Sequence, residues 1–440
     1  MGSIKEAARE IPVADEVDVL VVGGGPAGVS AAIAAARNGA PTLLIEQFGD
    51  IGGVSTVGLM SHWTGKTKGG FYEEILERSK DAEEEAIESQ PFLRVAINPE
   101  KLKTAYLEML LEADAELRLY TLAVEPIVKD GAIKGVITES KSGREAILAG
   151  CVIDASGDGD IAAKAGVPFT KGREEDNLMQ PMTLMFKVAG VDTDRAVFPG
   201  GFEDNIEIPK GAIQDLGKAN LPSPAGHVLL YRSTLPGIVT CNMTNVTGVD
   251  GTDAKDLTKA HVTARRQMDP IVRFLREYVP GFEKCYAIDS ASYIGIRETR
   301  HFHGDYTLTE DDILQAKVFE DWVVSYAHFN FDVHNITGAG LDETGMQKKF
   351  PQARGYTIPF RCLLPQKVEN LLLAGRNISG THMAHSNYRV MPICANMGQA
   401  AGTAAAIAVR TGVAPRQIKV EEIQKILVQN RVLDPAAVHV

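Results

Sequence analysis

Val17-Asp18-Val19-Leu20-Val21-Val22-Gly23-Gly24-Gly25-Pro26-Ala27-Gly28 is a near-continuous apolar run that ends in glycines. Such a run is expected of a strand buried on both faces in a parallel sheet. Gly23-x-Gly25-x-x-Gly28 then opens an Ala-rich helix over residues 26–38, and Thr42-Leu43-Leu44-Ile45-Glu46 supplies the next strand. The unit is βαβ, with a right-handed crossover. One glycine permits the tight turn, one lets a pyrophosphate approach the backbone, and one lets the helix sit close to the strand. The helix N-terminus adds N–H groups and a positive partial charge. Glu46 lies 18 residues past Gly28, where a carboxylate can accept hydrogen bonds from a ribose diol. The segment therefore reads as a dinucleotide site.

Three further stretches favour FAD over NAD. Gly52-Gly53 make a second glycine turn soon after the acid. Val152-Ile153-Asp154-Ala155-Ser156-Gly157-Asp158-Gly159 is a strand ending in small residues, which lets backbone approach the cofactor again. Asn370-Leu371-Leu372-Leu373-Ala374-Gly375-Arg376, followed by the small-residue helix around Gly398 and Gly402, supplies contacts from the far end of the chain. An extended FAD requires several such approaches and a compact NAD does not. The expected fold class is α/β: a Rossmann-like FAD-binding domain with a parallel sheet, plus an inserted mixed α+β substrate domain. The expected boundaries are 1–165 for the first part of the FAD-binding domain, 166–365 for the substrate domain, and 366–440 for the closing strand and helices.

The chain resembles the FAD-dependent oxidoreductase family with a glutathione-reductase-type FAD-binding fold. The resemblance rests on Gly52-Gly53, Asp154–Asp160, Gly295–Arg300 and Met397–Ala406. It implies that Gly23, Gly25, Gly28, Glu46, Gly52, Gly53, Ser156, Gly157, Gly375, Arg376 and Gly398 line the FAD. Pro26, Ala27, Gln47, Ala123, Ala155, Asn396 and Met397 join them as cofactor candidates. Many relatives of this fold place an acid where Arg376 stands, on the ribityl chain.

Between these ends, residues 71–89 read as an exposed helix and Pro99–Ala113 as another, with Pro at its start. Leu117–Thr121, Val124–Lys129 and Ala132–Thr138 read as short strands, with Lys129-Asp130-Gly131 as a hairpin turn. Thr183–Val188 and His227–Arg232 suggest an antiparallel sheet in the middle region. A long helix is expected from the N-cap Asp253 to Tyr278, with Pro270 as a kink or break. The closing helix is expected over 395–410 and an amphipathic one over 419–429.

The isoalloxazine would accept hydride, and the protein would orient substrate and handle a proton. Thr381-His382-Met383-Ala384-His385-Ser386-Asn387-Tyr388-Arg389 stands just before the closing helix. His382 and His385 suit proton transfer near neutral pH. Arg389 suits a carboxylate or a reacting oxygen. In Gly295-Ile296-Arg297-Glu298-Thr299-Arg300-His301, a strand would place Arg297, Thr299 and His301 on one face. The catalytic candidates are thus His385, His382, Arg389 and Arg297. His62 follows the second glycine turn and could approach the flavin. His301-x-His303 and His382-x-x-His385 lack a companion acid or Cys at diagnostic spacing, so no metal is expected.

Hydrophobic residues make up 45% of the 440 and charged residues 23%, which suits a globular chain with a sizeable core. The net charge of −12 argues against nucleic acid or an anionic membrane as partner. No apolar run reaches the ~18 residues of a membrane span. Five widely spaced cysteines without CxxC suit a reduced, cytoplasmic protein. The expected partners are a small-molecule substrate and an electron acceptor or donor of unknown identity, with a homo-oligomer left open. The leading expectation is hydride transfer between flavin N5 and a small polar or anionic substrate. The alternatives are a flavin monooxygenase using external NAD(P)H, a catalytically silent FAD- or ligand-binding protein, and an NAD-only dehydrogenase. No second strand–GxGxxG–helix unit is present for a separate NAD(P) domain.

Overall fold

The computed structural model describes residues 2–80, 95–200, 204–341, 352 and 354–438. Its principal sheet has seven strands. Glu116–Arg118, Thr42–Ile45, Val13–Val22 and Gly143–Asp154 lie side by side and parallel. Gly143–Asp154 serves two partners on its other edge. Its last residues pair in parallel with Leu371–Leu373, from the far end of the chain. Its first residues pair antiparallel with Ala132–Ser140, which pairs in turn with Leu122–Lys129. The turn between those two strands places Asp130 and Gly131 at φ of 52° and 74°, as the Asp-Gly signal requires. The fold is the α/β, parallel-sheet class read from the sequence.

Helix Pro26–Arg37 covers the sheet, with Pro26 in its first turn. Helix Pro99–Glu112 is capped by Asn98, whose side chain accepts from the N–H groups of Glu100 and Lys101. The closing helix runs from Met391 to Thr411, so it starts four residues before the expected point. Pro392 fits its first turn, where a missing N–H costs nothing. The small residues at 395–402 mark a contact face rather than the helix start. A Cβ on Gly398 would lie 1.9 Å from the carbonyl oxygen of Ala27, and one on Gly402 would lie 2.1 Å from that of Ala31. The backbones of the two helices therefore touch.

Four antiparallel strands form the middle sheet, in the order Leu230–Arg232, Val239–Cys241, Phe186–Ala189, Tyr286–Ser290. Helix Ala254–Tyr278 shares their core and is capped by Asp253 as expected. Pro270 does not split it. The carbonyl that Pro270 frees belongs to Arg266, which is exposed and can be met by water. A second apolar core gathers residues 182–294, while segments 302–331 and 356–364 pack with the parallel sheet. Helix Phe71–Ser79 forms the first half of the expected 71–89 element, and residues 81–89 lie outside the described residues. Thr183 stands outside the strand expected of it and makes a lone bridge to Gly295. Among the described residues no helix is long and apolar enough to cross a membrane.

Gly402→Ala is expected to cost roughly 3 kcal/mol or more, the upper end for forcing a methyl into a packed core. Denaturant unfolding checks this, and a loss under ~0.5 kcal/mol would refute the backbone contact.

Candidate active site

The glycine turn is tightly built. Gly23 sits at φ +100° and its N–H donates to the carbonyl of Ile45 at 2.9 Å. A Cβ there would lie 2.7 Å from the oxygen of Ala155. Gly25 caps helix Pro26–Arg37 without any side-chain acceptor, and a Cβ on it would meet nothing within 4 Å. Gly53, at φ +53°, backs onto Gly25: its own Cβ would lie 3.0 Å from the Cα of Gly25. Gly52 donates to the carbonyl of Gly24 at 2.6 Å. Glu46 is 7% exposed. Its two oxygens accept from the N–H groups of Gly24 at 2.6 Å and Phe48 at 2.9 Å. Burial raises its pKa, and those backbone donors oppose the rise. Each carboxylate oxygen keeps lone-pair capacity for a ribose hydroxyl.

Ala155 donates to Val22, and Ser156 donates through Oγ to Asp154 at 2.7 Å. Gly157 follows at φ +85°. Gly375, at φ +109°, directs its absent side chain at Ala27. Arg376 pairs with Asp158 at 3.0 Å. Gln47 is exposed on the bend after Glu46, and Ala123 is half-buried at the start of its hairpin strand. Open space at Gly25 beside Gly53, Gly157 and Glu46 fits a dinucleotide. Asn396, Met397 and Gly398 lie in the scaffold beneath. Asn396 donates to Thr67 and to the carbonyl of Gly69, each at 3.0 Å, and accepts from Tyr72. Met397 is fully buried, and Gly398 meets Ala27. The N-terminus of the closing helix, expected at Ala395, is instead at Val390–Met391.

A pocket lined by Thr183, His227, Asn242, Asn245, Arg297 and His334 opens on the antiparallel-sheet side. Arg297 donates through Nη1 to the carbonyl of Pro181 at 2.5 Å and to Thr183 Oγ1 at 2.8 Å. Arg389 is close by. Its Nη2 donates to Asp332 Oδ2 at 2.8 Å, and its buried Nε has no partner. His334 Nε2 lies 3.4 Å from the same Asp332 oxygen. Burial, and then Arg389, push Arg297 down to about 10. Burial, and then Arg297, push His334 down to about 4, so its ring is neutral at pH 7. Burial favours a protonated Asp332, but His334 and the two guanidiniums outweigh it and hold the carboxyl well below its usual range. His62 packs its ring on Tyr231 at 4.5 Å, and Tyr231 is close enough to bias Arg297.

A family model described as FAD dependent oxidoreductase matches residues 18–427. The chain belongs to the FAD-dependent oxidoreductase family. Its cofactor is FAD, and it is an oxidoreductase. Solved structures similar to it include a geranylgeranyl bacteriochlorophyll reductase-like protein from Thermoplasma acidophilum, at 15% identity, TM-score 0.47, covering 95% of this chain and 84% of that one. L-proline dehydrogenase from P. horikoshii is similar at 14% identity, TM-score 0.45, with 93% and 96% covered. p-Nitrophenol 4-monooxygenase from Pseudomonas putida is similar at 11% identity, TM-score 0.47, with 95% and 85% covered.

The two histidines favoured by the sequence stand beside the pocket rather than in its lining. They stand on helix His382–Tyr388, which is capped by Thr381. His382 Nδ1 meets Glu298 Oε1 at 2.5 Å, and His301 Nε2 meets the same oxygen at 2.8 Å. Glu298 Oε2 accepts from the N–H of Gln180 at 3.0 Å, and Gln180 Oε1 accepts from the N–H of His334. Glu298 is 0% exposed. Burial would raise its pKa, but the hydrogen bonds from His301 and His382 outweigh that and hold it well below the carboxylate range. For His382, burial is outweighed by Glu298 and the pKa rises. His385 is buried edge-on to His301 at 4.8 Å, and burial drives its pKa well below 6.5.

Glu298 is the acid that the histidine spacings lacked in the sequence. The His301 and His382 ring centroids are 6.5 Å apart with the shared oxygen bonded to both rings. A zinc ion at ~2.0 Å from both nitrogens and in tetrahedral geometry would need the rings about an ångström closer. The spacing suits a carboxylate bridging two imidazoles. The expected strand through Arg297, Thr299 and His301 is also corrected: only Arg300–Phe302 is a strand. Lacking a ladder, residues 297–299 diverge, and Thr299 donates to Asp158 at 2.7 Å.

Sequence reasoning missed Glu298, Gln180 as its link, Asp332 and His334. Their one local signal is the polar Asp332-Val333-His334-Asn335 run, and their pairing is tertiary.

Glu298→Ala is expected to cost roughly 3–5 kcal/mol at pH 7, as for breaking a buried ion pair. Because the folded carboxyl titrates below its unfolded value, the advantage of the native chain should be full above about pH 4.3 and shrink as pH falls further. Urea unfolding of both proteins from pH 7 to pH 3.5 tests this. A constant difference across that range would contradict the bridge.

Proposed function

We propose that this enzyme transfers hydride between a carbon of a small anionic substrate and FAD, on a glutathione-reductase-type FAD domain. The observation that carries the reading is that Arg297 lines a pocket with His334 and bonds neutral oxygens, while the nearby Arg389 takes Asp332. Two guanidiniums and one carboxylate leave a local excess of positive charge in a chain of net charge −12. A substrate carboxylate would satisfy it, and Arg offers the planar fork that such a group fits.

Bound FAD supplies the two-electron acceptor. Arg297 then orients the substrate through its anionic group, held in turn by Pro181 and Thr183. His334, oriented by Asp332, takes the proton of a substrate hydroxyl or amine as the C–H bond gives up its hydride. His382 and His301 hold the wall behind, through Glu298 and Gln180, and His385 packs edge-on against His301. The substrate's carbon skeleton lies beyond these contacts.

Anaerobic mixing with small hydroxy, amino and keto acids should bleach the flavin with at least one of them. Bleaching by NAD(P)H alone would favour the monooxygenase reading. With a bleaching substrate in hand, Arg297→Gln should raise KM at least ~10-fold, as loss of a charged hydrogen bond does. His334→Ala should slow single-turnover reduction by ~100-fold or more. A neutral base works until it is protonated, so kcat/KM, which reports the free enzyme, should stay level from pH 8 down to about 5 and fall near pH 4. A fall centred near pH 6.5 would rule His334 out.

A further inference from the structure

One nitrogen of the Arg376 guanidinium has no partner. Nη2 is committed to Asp158 Oδ1 at 3.0 Å, whereas Nη1 is buried without any hydrogen-bond acceptor. Asp158 is itself held firmly, accepting from Thr299 Oγ1 at 2.7 Å and, through its carbonyl, from Arg300 Nη1 at 2.8 Å. The guanidinium is therefore fixed, and an unpaired buried N–H is costly unless something else accepts it.

Its surroundings say what that acceptor is. Gly375, immediately before it, would direct a Cβ to 3.4 Å from the Cβ of Ala27, in the first turn of helix Pro26–Arg37. The guanidinium lies against Gly157, where a Cβ would stand 2.7 Å from Nη2. Across from it, Tyr293 stacks on Phe48 at 5.1 Å, with its hydroxyl 3.5 Å from the Cβ position of Gly53. Glu46, Arg376 and Asp158 all lie near enough to that hydroxyl to act on it electrostatically. A helix N-terminus and a guanidinium are both positive, and the approach of Gly375 to Ala27 sets Arg376 next to the helix that Gly25 caps.

We propose that Arg376 is a diphosphate ligand of FAD, donating Nη1–H to a phosphate oxygen while Asp158 holds its other nitrogen. A carboxylate accepts from the ribityl hydroxyls; a guanidinium gives to the phosphate oxygens and offsets their charge. Thr299 and Arg300 lie between the middle region and the cofactor turn, and the chain uses them to lock this ligand through Asp158.

The test compares FAD with riboflavin, which carries the ring and ribityl chain but no phosphate. The full-length protein is freed of flavin by dialysis against bromide, checked by circular dichroism, and titrated by flavin fluorescence. Arg376→Gln should weaken FAD roughly 10- to 100-fold, as removal of a charged hydrogen bond does, and leave riboflavin within twofold. Arg376→Lys, which keeps the pair with Asp158 but offers one nitrogen, should fall between; it also carries the test if the glutamine variant does not fold. Unchanged FAD affinity would overturn the proposal. Equal weakening of FAD and riboflavin would also overturn it, by placing the contact on the ribityl side.

Discussion

The contact between helix Pro26–Arg37 and helix Met391–Thr411 is the constraint on which the rest depends. Gly398 and Gly402 leave the carbonyl oxygens of Ala27 and Ala31 where side chains would otherwise stand. Strand Leu371–Leu373 pairs with Gly143–Asp154 over only three residues, too short a ladder to orient the end of the chain alone. The helix contact supplies that orientation. It sets Gly375 against Ala27, and so sets Arg376 beside the first glycine turn. The width of the cofactor groove is thus decided by backbone packing, with no polar residue needed to define it.

From that frame one short segment reaches everything else. Gly295 bridges to Thr183, Arg297 bonds Pro181 and Thr183, and Glu298 takes the N–H of Gln180. Thr299 and Arg300 bond Asp158, the partner of Arg376, and His301 joins Glu298. Successive residues thus contact the pocket wall, helix His382–Tyr388 and the cofactor loop. A regular strand could not do this, since it offers only two faces. The segment is irregular because its partners lie in three directions. On the proposed reading, a small displacement there would move substrate anchor and cofactor contact together.

How much of this is legible in the sequence follows from how local each signal is. The first strand, glycine turn, helix and second strand are contiguous, and each carries its own periodicity or turn chemistry. The hairpin at Asp130-Gly131 and the cap at Asp253 are equally local, and both stand in the structure. The start of the closing helix was obscured because Ala and Gly there report a contact face; the proline that marks the start is at 392. Helix His382–Tyr388 was hidden by polar side chains that it buries. Glu298 sat in plain view between Arg297 and Thr299, but its partners are 84 residues away at His382 and 118 at Gln180. No periodicity spans such distances. Asp332 and His334 were unreadable for the same reason.

The pocket's electrostatics follow from how few acids it holds. Asp332 is shared by Arg389 and His334, and Arg297 bonds neutral oxygens. Burial first, and the positive field of Arg297 second, keep the His334 imidazole deprotonated, and on the proposed reading the same field attracts an anion. On the proposed reading these are two stages of one event. A bound carboxylate cancels part of the field from Arg297 and lets the affinity of His334 for a proton rise. The base then strengthens when a substrate is present to be deprotonated. Without one, the ring stays neutral and Asp332 stays ionised, so burial of the site does not strand an unpaired charge.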